Sequence, residues 1–315
     1  MGVPVVTVAA GGLPIVEAAF GTPVTEAANG RGTPVTKVVG KPGLPVRFET
    51  IGVGGGTFPG GAEAQAFLAR TSGLDATHMN AYAALIDSLV ADGVWAKLDA
   101  LYIFATQNAT TSKLNLVSAN YTANDYSAPT FTVDRGWNSV NGDGFKGIDS
   151  NFNPSIAVSP KYTNNSAHLS VWNVTGEASS NGSCGSQDMS DNSAYIIAKF
   201  GGGATYFRIN TVNAGGGSYS APNTTGHFLG SRTGSATTNG YRNGALVGST
   251  DTTPATGVSG SRVFACGCGR NTHPAGFIGV SNQQAMLSIG AGLTGTEATN
   301  FYNRLRTYMT TVGVP

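Results

Sequence analysis

The sequence predicts a mainly β protein, in which an N-terminal Gly-x-Pro-Val β-repeat segment and a small helical subdomain precede a C-terminal jelly-roll β-sandwich closed by a helix. Three observations lead to this prediction. Short β-favouring runs bounded by Gly, Asn and Ser recur over the C-terminal part. Glycine accounts for 45 of the 315 residues, about twice the usual share. Hydrophobic residues make up 40% of the chain, whereas disorder requires low hydrophobicity and high net charge, so we expect the chain to fold.

The charge content argues against a nucleic-acid partner, and the apolar runs are too short for a membrane span. Charged residues are only 11% of the chain, and Lys+Arg 18 against Asp+Glu 17 leaves a formal net charge of +1. We therefore expect no basic face for a run of phosphates and no nucleic-acid partner. The opening MGVPVVTVAAGGLPIV lacks the basic start and long apolar core of a secretory signal, and no apolar run approaches the roughly 18 residues of a membrane span. A surface rich in Ser, Thr, Asn and Gly is typical of extracellular or particle-surface proteins.

Residues 1–58 contain five Gly-x-Pro-(Val/Ile) repeats, each followed by a short β-favouring stretch. A proline cannot donate to a strand ladder, so each repeat suits the first residue of a short or edge strand. One unit is too small to bury its own apolar face, which predicts assembly with other copies or with a particle. A flexible linker is the alternative, but linkers do not need Val and Ile at repeated positions. The candidate assembly residues are Pro4, Pro14, Pro23, Pro34 and Pro45.

Residues 59–117 are predicted to form the helical subdomain. Asp75 is a suitable N-cap for a helix that ends at Gly93, and Asn108 is a suitable N-cap for a further short helix. The apolar positions of residues 94–102 also follow a helical spacing, which predicts a second helix there. His78, in the first turn, is predicted to be a solvated or capping residue rather than a ligand. Residues 118–135 are predicted to be a connector.

Residues 136–315 are predicted to form the sandwich. Asn243-Gly244 between two β-favouring runs is the strongest short-range signal of a hairpin. Thr294 and Glu297 have capping-box spacing, and an apolar stripe follows them, which predicts a terminal helix packed on the sheet. Together with one run in the connector, the predicted strands lie at residues 131–133, 167–174, 194–200, 205–212, 227–231, 263–266, 277–280 and 285–289.

The end of the chain resembles concanavalin A-like (laminin-G-like) lectin domains. The resemblance is carried by a Tyr-x-Asn-Gly hairpin (YRNGALV), a Phe-x-Gly turn (GFIGVSN), a strand, and a Leu-(Ser/Thr)-x-x-Glu helix start, matched by Leu293, Thr294 and Glu297. It covers roughly residues 136–315. Residues 74–117 and the N-terminal repeats resemble structural proteins of tailed bacteriophages and prophages. These resemblances imply a virion component that is trimeric, made in the host cytoplasm, with its N-terminus towards the particle and its lectin-like domain outward.

Catalytic motifs are missing from the sequence. It contains no Gly-x-Ser-x-Gly, His-Glu-x-x-His or P-loop motif. Glycosidases place two carboxylates about 5–9.5 Å apart across a sugar. The Glu-x-Asp-x-x-Glu type of strand carried by glucanases of this fold class does not occur here either. We therefore expect a protein that is not an enzyme.

Two aromatic residues are candidates for stacking on a sugar. Trp137, flanked by Gly and Asn, is predicted to be exposed, and Tyr219 lies in a Gly/Ser-rich stretch. Trp172 lies in an alternating strand and is predicted to belong to the core.

Two loops rich in Asn, Asp and Gly complete the candidate carbohydrate-binding set with Asp143 and Asn151. The clustered oxygens of residues 141–144 and 149–151 would also suit Ca²⁺. The favoured alternative is that Asn, Asp and Gly are simply good turn residues, so no metal site is predicted.

The three cysteines leave two alternatives open. Cys266-Gly-Cys268 departs from the spacing of zinc pairs, and a fourth ligand is missing. On a strand the two side chains point to one face, from which either could reach Cys184. Buried free thiols and a disulfide involving Cys184 both remain compatible with the sequence.

The sequence as a whole favours a non-enzymatic virion surface protein, either a capsid spike or decoration or a tail fibre. Its expected partners are further copies of itself, other virion proteins through the repeats, and a host surface polysaccharide. A carbohydrate-binding module of a secreted bacterial protein is the first alternative, and a polysaccharide-degrading enzyme is the second.

Overall fold

The computed structural model describes residues 6–7, 15–16, 35–39, 47–51, 58–139, 146–176, 182–200, 203–212, 217–220, 223–271, 278–279 and 282–315. The chain divides into two compact units, Met1–Thr57 and Phe58–Pro315.

The first unit contains two antiparallel strand pairs among its described residues. β1 (Val6–Thr7) pairs with β2 (Ile15–Val16), and β3 (Val35–Val39) pairs with β4 (Arg47–Ile51). Each of these strands begins one or two residues after the proline of a repeat, as expected for residues that follow a ladder-breaking proline. The five repeat prolines themselves lie outside the described residues.

The second unit is built on two sheets, as predicted. In the described part of the chain the first sheet has eight strands in the order β17-β16-β15-β10-β21-β8-β7, with β5 also paired to β21. These strands are β5 (Leu98–Ile103), β7 (Thr130–Thr132), β8 (Gly136–Asn138), β10 (Ala167–Asn173), β15 (Gly226–Gly234), β16 (Thr237–Arg242), β17 (Ala245–Asp251) and β21 (Gln283–Gly290). All of its pairs are antiparallel.

The second sheet has nine described strands, seven of them in the order β14-β13-β12-β11-β18-β9-β6. β19 pairs with β11 in parallel and with β20 in antiparallel orientation. The strands are β6 (Asn124–Tyr126), β9 (Gly147–Asp149), β11 (Cys184–Asp188), β12 (Asn192–Phe200), β13 (Ala204–Val212), β14 (Gly217–Ser220), β18 (Phe264–Ala265), β19 (Gly267–Asn271) and β20 (Ile278–Gly279). Each predicted strand overlaps one of the observed strands.

The space between the sheets is one hydrophobic core, and strand alternation decides which side chains enter it. In β10, Leu169 and Val171 point into this core, where Phe207 and Phe228 meet them. Trp172 points to the opposite face and belongs to a second core under the helices. Because both faces of β10 are covered, all seven of its residues are buried, and the prediction that Trp172 is a core residue is confirmed.

Over the described ranges four helices accompany the sheets: α1 (Ala62–Leu68), α2 (Ala76–Ala91), α3 (Ala109–Ser112) and α4 (Gly295–Thr311). The second core joins α1, α2 and α4 to the eight-stranded sheet. The Tyr82 ring of α2 lies 4.9 Å from that of Phe67 in α1 and 5.1 Å from that of Tyr308 in α4. The terminal helix therefore packs on the sheet, as predicted. No helix in the described ranges is both long and apolar enough to cross a membrane.

Local sequence signals account for several element ends. The Asp75 side chain accepts a hydrogen bond from the His78 backbone N–H at the start of α2, and Asn108 does the same for Thr111 in α3. Thr294 and Glu297 form the expected capping box of α4. All three predicted caps are confirmed.

The predicted β16–β17 hairpin is also confirmed. Asn243 (φ 49) and Gly244 (φ 75) occupy its turn with positive φ at both central residues, which is the geometry of a type I′ turn.

The prediction of a second helix over residues 94–102 is wrong. Residues 94–97 form only a single 3₁₀ turn, and the stretch that follows is β5, paired with β21. Five of the six residues of β5 are buried, because one face meets the inter-sheet core and the other meets the helices. A short apolar run buried on both faces lacks the alternation that distinguishes a strand from a helix. The predicted connector likewise contributes β6 and β7 to the sheets, while the proposed domain boundaries stay predictions.

Candidate ligand-binding groove

An open groove runs along the rim of the sandwich where the two sheets end. β14 is the edge strand of the nine-stranded sheet and β17 is the edge strand of the eight-stranded sheet. They come together on the same side of the sandwich and enclose a groove of about 540 Å³, which we call the rim groove. Its lining residues are Ser218, Tyr219, Ser220, Val247, Gly248, Ser249, Thr250, Asp251 and Thr252.

Tyr219 fastens the two edge strands together. Its hydroxyl donates to the backbone carbonyl of Ser249 at 2.9 Å, and its ring lies 5.7 Å from that of Phe207 in the core. Burial, followed by the nearby charge of Asp251, raises the pKa of Tyr219, so the phenol stays protonated and keeps donating at neutral pH. The half-buried ring is thus a structural wall of the groove.

Gly248 makes that fastening possible. Its φ is +71°, a left-handed conformation that favours glycine, and a Cβ at this position would overlap the Tyr219 ring. The β16–β17 register also shifts between Thr238 and Gly240, opposite this part of β17. An irregular edge of this kind breaks the continuous row of backbone groups that would otherwise invite another strand to pair.

Hydroxyl groups dominate the lining. Five of these nine residues are serine or threonine, and Ser249 and Thr250 in β17 and Thr252 just after it are exposed. Among the described lining residues Asp251 is the sole charged one, and its Oδ1 accepts hydrogen bonds from the Thr253 N–H (3.0 Å) and hydroxyl (2.7 Å). Hydroxyls both donate and accept hydrogen bonds, so the groove suits an uncharged ligand rich in hydroxyl groups.

The structure does not bring the predicted sugar-binding residues together. Tyr219 lines the rim groove, but Asn151 follows β9, near the opposite edge of the nine-stranded sheet. Asp143 lies outside the described residues.

The prediction that Trp137 is exposed is wrong. Trp137 is 3% exposed, and its Nε1–H donates to Ser112 Oγ at 3.0 Å. The amine of Lys113 lies 5.5 Å from the centre of the ring. The flanking Gly and Asn predicted exposure, but α3 covers the indole in the folded chain, so it cannot stack on a sugar in this structure.

The oxygens of the Asp149–Asn151 loop are occupied by protein groups. Asp149 Oδ2 pairs with Arg262 Nη1 at 2.8 Å, and its Oδ1 accepts from the Asn151 N–H. The Asn151 Oδ1 accepts from the same Arg262 nitrogen at 2.7 Å. A guanidinium at this position opposes a second cation, so the loop does not fit Ca²⁺. Among the described residues there is no group of three or more His, Cys, Asp or Glu side chains able to hold a metal ion.

The three cysteines are buried in the structure. The Cys266 Sγ lies 3.5 Å from the Trp137 carbonyl oxygen, and burial raises the pKa of this thiol. Cys184 belongs to the same inter-sheet core, whereas Cys268 belongs to a small separate cluster. The disulfide alternative stays a prediction.

The sequence did not predict that β17 lines a groove. It predicted the hairpin that contains β17, but a groove between the edges of two sheets depends on the order of the strands in those sheets. The one local signal was the abundance of Ser and Thr around residues 247–253.

No protein-family model and no curated protein matches this chain. Solved structures with related folds include a Trypanosoma rangeli sialidase, 11% identical over 65% of this chain and 32% of that chain, with a TM-score of 0.41. A second is domain 4 of an extracellular GH43 arabinanase from Geobacillus stearothermophilus in complex with arabinotriose (18% identity, 65% and 98% coverage, TM-score 0.35). A third is a botulinum neurotoxin serotype D binding domain (12% identity, 66% and 52% coverage, TM-score 0.41).

The chain spans about a third of the length of the sialidase and about half of the toxin domain.

Proposed function

We propose that this protein is a non-enzymatic, lectin-like surface protein that binds a glycan in the rim groove. The observation that carries the proposal is an open groove, bounded by two edge strands, whose lining is mostly serine and threonine hydroxyls. A sugar offers the complementary chemistry, because each of its hydroxyls can donate one hydrogen bond and accept others.

The lining favours a neutral saccharide. Its described residues include no Lys, Arg or His to pair with an acidic sugar, and Asp251 would repel one. Val247 adds an apolar contact for the C–H face of a sugar ring. The ligand class that fits these groups is a neutral oligosaccharide held by hydrogen bonds to Ser249, Thr250 and Thr252.

The same lining supports binding without hydrolysis. Glycoside cleavage uses two carboxylates flanking the scissile bond, about 5–9.5 Å apart. Asp251 is the only carboxylate among the lining residues that the structure describes, and its Oδ1 is already engaged by Thr253. A single carboxylate cannot supply both the acid and the base or nucleophile.

The wider biological role is proposed from the sequence resemblance. It is that of a phage-like virion surface protein, either a capsid spike or decoration or a tail fibre, that assembles as a trimer. The N-terminal repeats would contact other virion proteins, and the rim groove would meet a host surface polysaccharide. Light scattering distinguishes this role from that of a secreted carbohydrate-binding module, because the virion role predicts a mass three times that of the chain, whereas a monomer supports the module.

Glycan binding is tested with two matched double variants. A glycan array of neutral and acidic bacterial surface oligosaccharides first identifies a ligand, and calorimetry then measures its affinity for the wild type and both variants. Thr250→Ala with Thr252→Ala removes two exposed groove hydroxyls, whereas Thr310→Ala with Thr311→Ala removes two exposed hydroxyls from the end of α4.

We expect the groove variant to bind about tenfold more weakly, because a lost hydrogen bond is worth roughly 0.5–1.5 kcal/mol. The α4 variant should bind like the wild type. An array without any neutral ligand, or equal affinities for the two variants, would contradict the proposal.

A further inference from the structure

His78 lies between two carboxylates that come from different parts of the fold. Its Nδ1 is 2.8 Å from Asp75 Oδ1, and its Nε2 is 2.8 Å from Asp134 Oδ1. Asp75 precedes α2, whereas Asp134 lies in the turn between β7 and β8. The histidine is 6% exposed, so of the two predicted roles, a solvated or a capping residue, the solvated one is wrong.

This geometry requires a proton on each ring nitrogen. A neutral imidazole has one N–H donor and one acceptor nitrogen, and an ionised carboxylate can only accept. With both nitrogens facing carboxylate oxygens, the neutral ring would leave one nitrogen lone pair against a carboxylate. The imidazolium donates to both, and charge-assisted hydrogen bonds of this kind are about twice as strong as neutral ones.

The groups around the ring are consistent with a bound cation. Asp75 Oδ1 also accepts from the His78 backbone N–H, and the Asp75 backbone N–H donates to Gln107 Oε1, so this carboxylate is held in place. Tyr82 in α2 and Tyr308 in α4 are near enough to feel the charge of Asp134, and both stay neutral because burial, with a smaller effect of Asp134, raises their pKa values.

A backbone hydrogen bond holds Asp134 in place on the other side of the His78 ring. Asp134 has a φ of +56°, and its N–H donates to the Thr106 carbonyl at 3.1 Å. Arg135 follows it in the turn and is the cation next to this carboxylate in the chain.

We propose that protonated His78 acts as a clamp that joins the start of α2 to the β7–β8 turn, and that loss of its proton releases this joint. The clamp is independent of the rim groove and of the proposed glycan function. It makes the attachment of the helical layer to one end of the eight-stranded sheet dependent on pH.

The direction of the pH effect follows from the electrostatics. Burial on its own lowers the pKa of His78, but the hydrogen bonds and charges of Asp134 and Asp75 outweigh it, so the pKa is raised. A group with a raised folded-state pKa stabilises the fold fully below its unfolded-state pKa. That contribution is lost as the pH rises through the folded-state pKa. Alkaline conditions should therefore loosen the joint.

The test is a histidine titration by long-range ¹H–¹⁵N NMR on the full chain, with the His78 signal assigned from His78→Gln. We expect both ring nitrogens of His78 to show the imidazolium signature at pH 6. We also expect a pKa above that of histidine in an unstructured peptide. Asp134→Asn should lower this pKa, because it removes the acceptor charge at Nε2.

Asp92→Asn is the matched control. It removes a carboxylate that pairs with Arg304 at the far end of α2, so the His78 titration should not move. A released joint should also expose the turn, so amide-exchange protection of residues 133–135 should fall above the His78 pKa in the wild type. In His78→Gln this protection should not change with pH. A neutral tautomer at pH 6, or a His78 pKa unaffected by Asp134→Asn, would overturn the proposal, and the wild-type spectrum alone decides the first point.

Discussion

Serine and threonine hydroxyls have different roles in two regions of this molecule. On the helix-covered face of the eight-stranded sheet, Ser170 and Ser288 lie 2.7 Å apart, oxygen to oxygen, and Ser288 also contacts His168 Nε2 at 3.0 Å. These groups are fully buried. In the rim groove, Thr250 and Thr252 are exposed. The comparison teaches that burial, rather than residue type, separates hydroxyls that hold the fold from hydroxyls available to a ligand.

Burial also decides the charge state of the two histidines on the helix-covered face. Burial, with an added effect of Lys97, lowers the pKa of His168 to about 4, and the hydrogen bond from the ring to the Ala291 carbonyl only partly offsets it. Burial, followed by the nearby His168, lowers the pKa of His227 to about 3. Both rings are therefore neutral core residues at physiological pH.

The largest expected effect comes from removing an anchor of the helix-covered face. Phe301→Ala empties a fully buried site next to His168 and His227, and such truncations cost about 3–5 kcal/mol. Leu246→Ala, at a side chain that is 53% exposed on the hairpin, should change the free energy of unfolding by no more than about 0.5 kcal/mol. Urea denaturation measures both. Similar losses in the two variants would contradict the division between core and rim.

A second effect is acid sensitivity of the helix-covered face. His227 stays neutral in the folded chain but takes up a proton in the unfolded chain below about pH 6.5, so it lowers stability as the pH falls. Between pH 7 and pH 4 His227 lowers the free energy of unfolding by on the order of 3 kcal/mol. His227→Phe should flatten the decline in the free energy of unfolding over this range by that amount. An unchanged slope would mean that this ring is not a buried neutral histidine.

A smaller effect is expected at the rim. Gly248 and Gly93 have nearly the same φ, +71° and +72°, but a Cβ at Gly93 would have no neighbour within 4 Å. Gly93→Ala therefore measures backbone strain alone, about 1–2 kcal/mol. Gly248→Ala should lower the free energy of unfolding by about 1–3 kcal/mol more than Gly93→Ala does, because the new methyl group displaces the Tyr219 ring.

The matched pair also has a functional readout. The Gly248 variant should bind the array-selected glycan more weakly, and the Gly93 variant should not. Equal stability losses in the two variants would show that Tyr219 does not fasten the strands.

Much of the fold could be predicted from local sequence because its signals are local. The Asn243-Gly244 turn and the Thr294–Glu297 capping box depend on neighbours within a few residues, and both are present. Short β-favouring runs bounded by Gly, Asn and Ser located the strands of the sandwich for the same reason.

The errors occur where long-range packing decides the structure. β5 is buried on both faces and has an apolar spacing that predicted a helix, and α3 covers Trp137, which was predicted to be exposed. Of the predicted sugar-binding residues, Tyr219 alone lies in the rim groove. The rest of the groove depends on which strands end their sheets, and strand order is not encoded in any single segment.

The most direct test of the central claim is a map of where a glycan touches the protein. Isotope-labelled full-length protein is titrated with the neutral oligosaccharide selected on the array, and amide and indole NMR signals are followed. The account predicts shifts confined to residues 218–220 and 247–252, with the indole signal of buried Trp172 unmoved. Shifts centred on Trp172 or on the Asn151 loop, with the groove amides unchanged, would contradict it.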